Sequence, residues 1–249
     1  IYATRYTQLI FGVVGLALPA ILFSYLVNKQ PNNYLKTNIL PSFKLIINAV
    51  LIMIIILPLI NVMGYWNEQL HLPQALSEIE KTLRELQKTA DDLTLQILAG
   101  SSIHTLWSNL FFLAFVPAIT EELFFRGAVQ GCIHEKFGHH TAIWLTAIVF
   151  SAFHLQFFGF FPRMLLGALL GYMLFWSNSL YIPIIAHFTN NACVVVFYFL
   201  SARNILTFNI DSIGIHSQWW LAIISLIVLL PLLYFLKSQY NTKKGNSPL

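Results

Sequence analysis

Two adjacent carboxylates and a guanidinium interrupt an otherwise apolar stretch of this chain. Glu121, Glu122 and Arg126 follow an uncharged run that extends from Leu93 to Thr120. An ionisable group at membrane depth costs at least about 2.5–3.5 kcal/mol, so we expect such groups to pair or to perform chemistry. Glu122 and Arg126 are at i,i+4 spacing and can pair on one helix face. Glu121 lies about 100° away around that helix and has no local partner, which makes it the candidate reactive group.

Two further sets of polar residues lie within apolar helices. His154 follows Phe150 by one helical turn, and His187 and Asn191 are also one turn apart, so both project from one face. A helix–helix hydrogen bond would account for any one of these histidines. It would not account for the whole set, because three separate helices would each have to bury polar groups only for packing. We therefore interpret the set as one functional site.

These groups have the chemistry that peptide-bond hydrolysis requires. A carboxylate in a low-dielectric site can accept and return a proton near neutral pH. Glu121 and an imidazole can together deprotonate a water that attacks a carbonyl carbon. A histidine and an asparagine one turn apart can donate hydrogen bonds to the resulting oxyanion. Glu121 would then pass its proton to the leaving amine.

The composition indicates a polytopic membrane protein. Of the 249 residues, 57% are hydrophobic and only 10% are charged, whereas about a quarter of the residues of a soluble domain are charged. No alternating barrel pattern occurs, so the spans are expected to be helices in contact with membrane lipid. The net charge is only +4, and no basic cluster is interleaved with aromatics, so we expect no nucleic-acid partner. The predicted fold class is all-α.

The uncharged runs predict a single membrane domain, residues 1–249, with about seven helical spans. Two spans lie in residues 1–63, a four-span core lies in residues 103–200, and the last span, residues 218–236, precedes a basic tail, residues 237–249. The predicted spans run from about Gln8–Val27, Leu45–Met63, Ile103–His134, Thr141–Phe157, Arg163–Trp176, Ile182–Leu200 and Trp219–Leu236. Gly167 and Gly171 provide a small-residue face for close helix packing.

Residues 73–97 predict an amphipathic surface helix rather than a span. Its apolar stripe, Leu76–Ile97, alternates steps of three and four residues. Such a stripe is typical of a helix that lies on the bilayer or on its own bundle. Because the heptad pattern persists for three repeats, a protein partner that binds through this stripe is the alternative.

Seven spans would place the two termini on opposite faces of the membrane. Lysines are more numerous at the span ends of the C-terminal face, and the positive-inside rule therefore puts the C-terminus in the cytosol. We expect an integral protein of the bacterial inner (plasma) membrane.

The three motifs also resemble those of a known family. Glu121-Glu122-x-x-x-Arg126, Phe150-x-x-x-His154 and His187-x-x-x-Asn191 occur in this order. Together they resemble the motifs of the CAAX-protease-and-bacteriocin-processing family (CPBP, also called Abi). These are intramembrane endopeptidases that include the type II CAAX prenyl proteases. The resemblance covers about residues 110–196 and implies a protease for a membrane-associated protein or peptide.

The resemblance implies a role for each catalytic position. Glu121 and His154 would activate the water. His187 and Asn191 would stabilise the oxyanion.

The remaining motif residues and the metal question also follow from the resemblance. Glu122 and Arg126 would orient and hold the site. The family has been described both as metalloproteases and as metal-free glutamate proteases. Zinc commonly binds His and Glu, so Glu121, His154 and His187 would be its ligands. The sequence has no HExxH motif, and we favour a site without a metal or other cofactor, with zinc as the alternative.

Two functions from different classes follow from the sequence. The first is an intramembrane endopeptidase; the alternative is a non-catalytic membrane scaffold that binds a partner through the Leu76–Ile97 helix. The sequence does not identify the substrate. A bacteriocin, a signal peptide or a membrane protein fits the composition, and a prenylated protein is possible but not favoured.

Overall fold

A computed structural model describes residues 2–245, with side chains for residues 3–239. The described chain is helical and contains no strand, which confirms the predicted all-α class. The helices are α1 (Ala3–Val27), α2 (Pro31–Tyr34), α3 (Phe43–Ile55), α4 (Leu57–Glu68), α5 (Ser77–Leu98), α6 (Ile103–Phe137), α7 (His139–Phe153), α8 (Phe160–Ser177), α9 (Tyr181–Ala202) and α10 (Trp219–Gly245). Helix α10 continues into the predicted basic tail, of which residues 246–249 lie outside the described residues.

Five helical segments of the described chain are long and apolar enough to cross a membrane. They are α1, α6, α9, α10 and the segment Phe157–Ser177, which contains α8. Helices α3 and α4 form a sixth candidate that bends by 41° between them. Pro58 lies in the first turn of α4, where it cannot donate a backbone hydrogen bond, and this accounts for the bend.

The fourth predicted span, Thr141–Phe157, corresponds to α7, which has only 15 residues. At about 1.5 Å per residue it rises by only ~22 Å, less than the ~30 Å thickness of the hydrocarbon core. The described chain therefore has five to six helices of spanning length. The expectation of about seven spans counted α7 as a full span, because an apolar run in a sequence does not show where its helix ends.

Helix α6 carries the Glu-Glu motif and is irregular around it. The segments Leu110–Phe115 and Glu122–Val129 are wider helical turns with i→i+5 hydrogen bonds. Turns of this kind are often found at functional sites. Pro117 lies just after the first of them and has no N–H to donate, so a regular ladder cannot continue through it.

Helices α7 and α8 approach each other closely, as the small-residue face predicts. A Cβ atom added at Gly167 would lie 3.1 Å from Cδ1 of Phe150, and one at Gly171 would lie 3.0 Å from Cγ2 of Ile143. Only glycine leaves room for this approach. The contact fixes the position of Phe150 and therefore of His154 one turn later.

Polar contacts define two ends of the helix bundle. At one end the Leu180 N–H donates to the Lys36 carbonyl at 3.1 Å. At the other end the Asn67 side chain donates to the Phe157 carbonyl at 3.1 Å. Helix α10 runs antiparallel to α3, since Ser225 near the start of α10 donates to the carbonyl of Ile55, the last residue of α3, whereas Asn48, earlier in α3, donates to the carbonyl of Leu232, later in α10. The C-terminal part of α10 therefore lies at the first end, and the α7–α8 turn lies at the second.

Helix α5 confirms the predicted amphipathic helix over Ser77–Leu98. Its start is fixed by Glu80, which accepts hydrogen bonds from the Leu72 N–H and from Arg84 Nε, both at 2.8 Å. The Leu72 hydrogen bond, and then those of Arg84 and His71, lower the pKa of Glu80 to about 2.

The apolar stripe of α5 is largely uncovered by the rest of the chain. Ile79 is 52% exposed and Leu86 is 53% exposed, whereas Ile97 at the end of the helix is buried. Most of the stripe is therefore accessible to lipid or to another molecule.

Candidate active site

Polar side chains from several helices line one cavity of about 460 Å³. Glu121 comes from α6, His154 follows the last residue of α7, and His187 and Asn191 come from α9. The structure therefore brings all four residues to which the sequence analysis assigned catalytic roles to a single cavity.

The Glu122–Arg126 contact that i,i+4 spacing predicts is present beside this cavity. Arg126 Nη1 donates to Glu122 Oε1 at 2.7 Å, and both side chains are fully buried. Arg126 Nη2 also donates to the Gly167 carbonyl at 3.0 Å, and the guanidinium lies over the Phe150 ring, 4.4 Å from its centroid. Arg126 therefore ties α6 to both α7 and α8.

Glu122 also contacts His187, a contact that the sequence analysis did not foresee. Glu122 Oε1 lies 2.8 Å from His187 Nδ1, across 65 residues of chain. Glu121 Oε2 lies 4.0 Å from Nε2 of the same ring and is buried without a hydrogen-bond partner among the described residues. The imidazole of His187 therefore lies between the two glutamates.

The orientation of His154 follows from the turn that precedes it. Its Nδ1 lies 2.9 Å from the Phe150 carbonyl oxygen. A carbonyl only accepts, so Nδ1 carries the hydrogen and Nε2 of the neutral ring carries a lone pair. This hydrogen bond gives a physical reason for the one-turn spacing of Phe150 and His154.

His187 has the same arrangement with a different acceptor. Its Nδ1 faces the carboxylate of Glu122, which accepts only, so Nδ1 carries a hydrogen. Nε2, on the side of Glu121, accepts a proton when the ring is neutral and donates a hydrogen bond when the ring is protonated. The charge state of His187 therefore decides whether it acts as a base or as a donor.

Asn191 donates a hydrogen bond to a backbone carbonyl of α6. This carbonyl is available because a proline follows it in the helix. Pro117 has no N–H to complete the helical hydrogen bond to Leu113, four residues earlier. Asn191 Nδ2 donates to this carbonyl of Leu113 at 3.2 Å. The primary amide has a second hydrogen, which Asn191 can direct at a ligand in the cavity it lines.

Three polar residues that the sequence analysis left out of the site also line the cavity. They are Gln8, Arg163 and Asn190. Asn190 Nδ2 donates to Asn191 Oδ1 at 3.2 Å. Arg163 lies at the start of an apolar helix, and in the sequence analysis it is only the first residue of the predicted span Arg163–Trp176. The sequence did contain one signal for its role, because Arg163 follows closely after the predicted span that carries Phe150 and His154.

The fit of a metal ion depends on whether three ligands converge. The described residues contain no group of three His, Cys, Asp or Glu side chains that could hold a metal ion. Glu121, His154 and His187 line the same cavity but do not form such a group. The absence of a metal requirement stays a prediction.

The candidate site lies within a segment of the chain that matches a known protein family. Residues 103–193 match the family model described as type II CAAX prenyl endopeptidase Rce1-like. This segment includes all three motifs, and the match confirms the resemblance that the motifs predict.

A curated relative is similar over a shorter segment. The uncharacterized protein YpbD of Bacillus subtilis (strain 168) is 30% identical over 88 residues. The aligned segment covers 34% of this chain and 42% of that protein, so the chain spans less than half the length of this relative. No solved structure matches the chain significantly.

Proposed function

From the match of residues 103–193 to the Rce1-like endopeptidases, we propose that this chain is an intramembrane endopeptidase. It hydrolyses a peptide bond in a membrane-associated protein or peptide. The observation that carries the proposal is the single cavity bordered by Glu121, His154, His187 and Asn191. A carboxylate from α6, an imidazole at the end of α7, and an imidazole and an amide from α9 line this cavity within an apolar bundle.

In this proposal the proton of the attacking water moves to Glu121. Glu121 Oε2 has no hydrogen-bond partner in the described chain, and Nε2 of the neutral His154 ring carries a lone pair, so both can accept from water. The water oxygen forms a bond to the carbonyl carbon as the proton leaves. The C–N bond then breaks, and the proton passes from Glu121 to the leaving amine.

The oxyanion is stabilised by His187 and Asn191. Protonated His187 donates from Nδ1 to Glu122 and has Nε2–H available for the oxyanion. Asn191 contributes the amide hydrogen that Leu113 does not use.

The substitution Glu121→Gln tests the assignment, because it keeps the shape of the side chain and removes its basicity. We expect cleavage to be abolished while the protein still folds. Cells that express wild type, Glu121→Gln or the control Glu78→Gln, on the exposed surface of α5, are compared by proteomics of new protein N-termini. New N-termini that appear in cells with wild type and with Glu78→Gln, but not in cells with Glu121→Gln, support the proposal. Equal sets of termini in all three cell lines would refute it.

Metal removal tests the metal-free form of the mechanism. Purified protein is treated with a chelator, its metal content is measured, and hydrolysis is followed alongside. We expect hydrolysis to persist in metal-depleted protein. Loss of hydrolysis that zinc restores would instead favour Glu121, His154 and His187 as zinc ligands.

The uncovered stripe of α5 supports a second candidate function, a membrane scaffold that binds a partner protein. Ile79 and Leu86 are both more than half exposed. A partner retained on the wild type and on Glu121→Gln in equal amount, with no cleavage product, would favour this function. Loss of that partner on Ile79→Ser would locate the contact.

A further inference from the structure

Arg163 is a cation of the cavity that the proposed mechanism does not use. It lies in the first turns of α8 and lines the cavity together with Glu121 and His154. Its Nη2 donates to the side chain of Gln156. Its Nη1 is buried without a hydrogen-bond partner, and among the described residues Arg163 forms no ion pair. Nη2 of the guanidinium is therefore held in place by a hydrogen bond, whereas Nη1 has no hydrogen-bond acceptor.

Arg126, the other arginine at the site, pairs with a carboxylate, although its Nε is also buried without a hydrogen-bond partner. Its two terminal nitrogens donate to Glu122 and to the Gly167 carbonyl, and it does not line the cavity. Arg126 is thus engaged within the protein. A charged group without a counter-ion is costly in a membrane bundle and marks a site of function. Arg163 lines the same cavity as Glu121 but forms no ion pair with it in the described chain, so its unpartnered Nη1 is expected to bind a ligand that enters the cavity.

We propose that Arg163 binds an anionic oxygen of the substrate in this cavity. Guanidinium groups bind carboxylates and oxyanions through short, charge-assisted hydrogen bonds. Gln156 fixes the guanidinium through Nη2 and leaves Nη1 for the substrate. Gly159 makes room for it, since a Cβ atom there would lie 3.1 Å from Arg163 Nη2.

A peptide substrate offers two anionic oxygens. One is the oxyanion formed when water attacks the scissile carbonyl, and the other is the carboxylate at the peptide C-terminus. Contact with the first stabilises only the transition state and raises kcat. Contact with the second binds the ground state and lowers KM, and it makes the enzyme select bonds near a free C-terminus. The inference rests on the proposed endopeptidase function.

The test uses two quenched fluorogenic peptides that share one sequence, taken from a cleavage site found by N-terminal proteomics. One ends in a carboxylate and the other in a carboxamide. The enzymes are wild type, Arg163→Met, Arg163→Lys and the control Arg203→Gln, which removes an exposed arginine outside the cavity. Because Arg163 has no ion pair to lose, Arg163→Met is expected to melt no lower than wild type.

We expect Arg163→Met to lower kcat/KM at least about tenfold, the effect of losing one hydrogen bond to a charged group. Arg163→Lys should be intermediate, because it keeps the charge and loses the fork geometry. A fall in kcat for both peptides identifies the oxyanion as the bound group. A rise in KM for the carboxylate peptide alone identifies the C-terminus, and wild type should then cleave the carboxamide peptide poorly.

Two results would overturn the inference. One is a folded Arg163→Met protein with kcat and KM within about twofold of wild type on both peptides, less than the loss of even one weak hydrogen bond. The other is a melting temperature of Arg163→Met clearly below that of wild type, which would give Arg163 a structural role. In both cases wild type and Arg203→Gln still cleave the peptides. Failure of wild type itself to cleave would instead refute the proposed function.

Discussion

Glu122 Oε1 accepts hydrogen bonds from two donors that belong to different helices. Arg126 approaches it at 2.7 Å within α6, and His187 approaches it at 2.8 Å from α9. Glu121, its neighbour in sequence, accepts no hydrogen bond in the described chain, although the Oε2 atom of each glutamate is buried without a partner. Two adjacent glutamates thus have different environments, one suited to holding the site together and the other to exchanging protons.

This difference predicts opposite effects of two substitutions. Glu122→Ala leaves a buried guanidinium and an imidazole without their acceptor, and we expect it to cost about 3–5 kcal/mol of stability together with activity. Glu121→Gln should abolish activity and change stability far less. Unfolding by SDS in mixed micelles, measured on both variants, checks this. Equal destabilisation by the two substitutions would contradict the division of roles.

At the scale of elements, the close approach of α7 and α8 determines where His154 lies. Gly167 and Gly171 let α8 contact Phe150 and Ile143 of α7. The Phe150 carbonyl then accepts from His154, and the Phe150 ring lies under Arg126. Packing of two helices thus sets the orientation of the His154 imidazole.

A methyl group at this contact should disturb both packing and activity. In Gly171→Ala the new Cβ would lie 2.8 Å from Gln130 Oε1 and 3.0 Å from Ile143 Cγ2. We expect a loss of about 1–3 kcal/mol from overpacking, with reduced hydrolysis because α7 shifts. The measurement is again SDS unfolding, combined with peptide cleavage.

Gly64→Ala is the matched control for this change. Gly64 lies in α4, and a Cβ atom there would meet nothing within 4 Å. Alanine is favoured over glycine in helices by up to about 1 kcal/mol, so this variant should be as stable as wild type or more stable. If Gly171→Ala proved as stable as Gly64→Ala, the α7–α8 contact would be looser than the structure indicates.

At the scale of the whole molecule, the site and the last described turns of α10 lie toward different ends of the bundle. His154 follows α7 at the end where Asn67 contacts Phe157. The last turns of α10 lie at the opposite end, beyond the contact of Asn48 with the Leu232 carbonyl. Helix α5 lies at the same end as His154, since Arg84 is 4.1 Å from the centroid of the Phe158 ring. The position of the C-terminus therefore decides from which side of the membrane a substrate reaches His154.

The positive-inside rule predicts a cytosolic C-terminus and hence a site closer to the opposite face. Single cysteines at Lys29 and Glu78, in a protein whose Cys132 and Cys193 are replaced, report on the two ends. In intact cells an impermeant thiol reagent should label Glu78→Cys and not Lys29→Cys. The reverse labelling would place the site closer to the cytosol and would refute the predicted orientation.

The sequence by itself determined the all-α membrane class, the amphipathic helix and the i,i+4 pair of Glu122 and Arg126. Each depends on composition or on neighbours within a few residues, and such local patterns can be read directly from the chain. The motifs also identified Glu121 and Asn191 as site residues, but they did not show which groups these two side chains contact.

Only the tertiary structure decided which groups meet across helices. His187 contacts Glu122 over 65 residues of chain, and Asn191 contacts the Leu113 carbonyl over 78. Arg163 joins the cavity in the same way, and no motif includes it. These contacts depend on how whole helices pack, and helix periodicity shows which side chains share a face but not which face of another helix lies opposite.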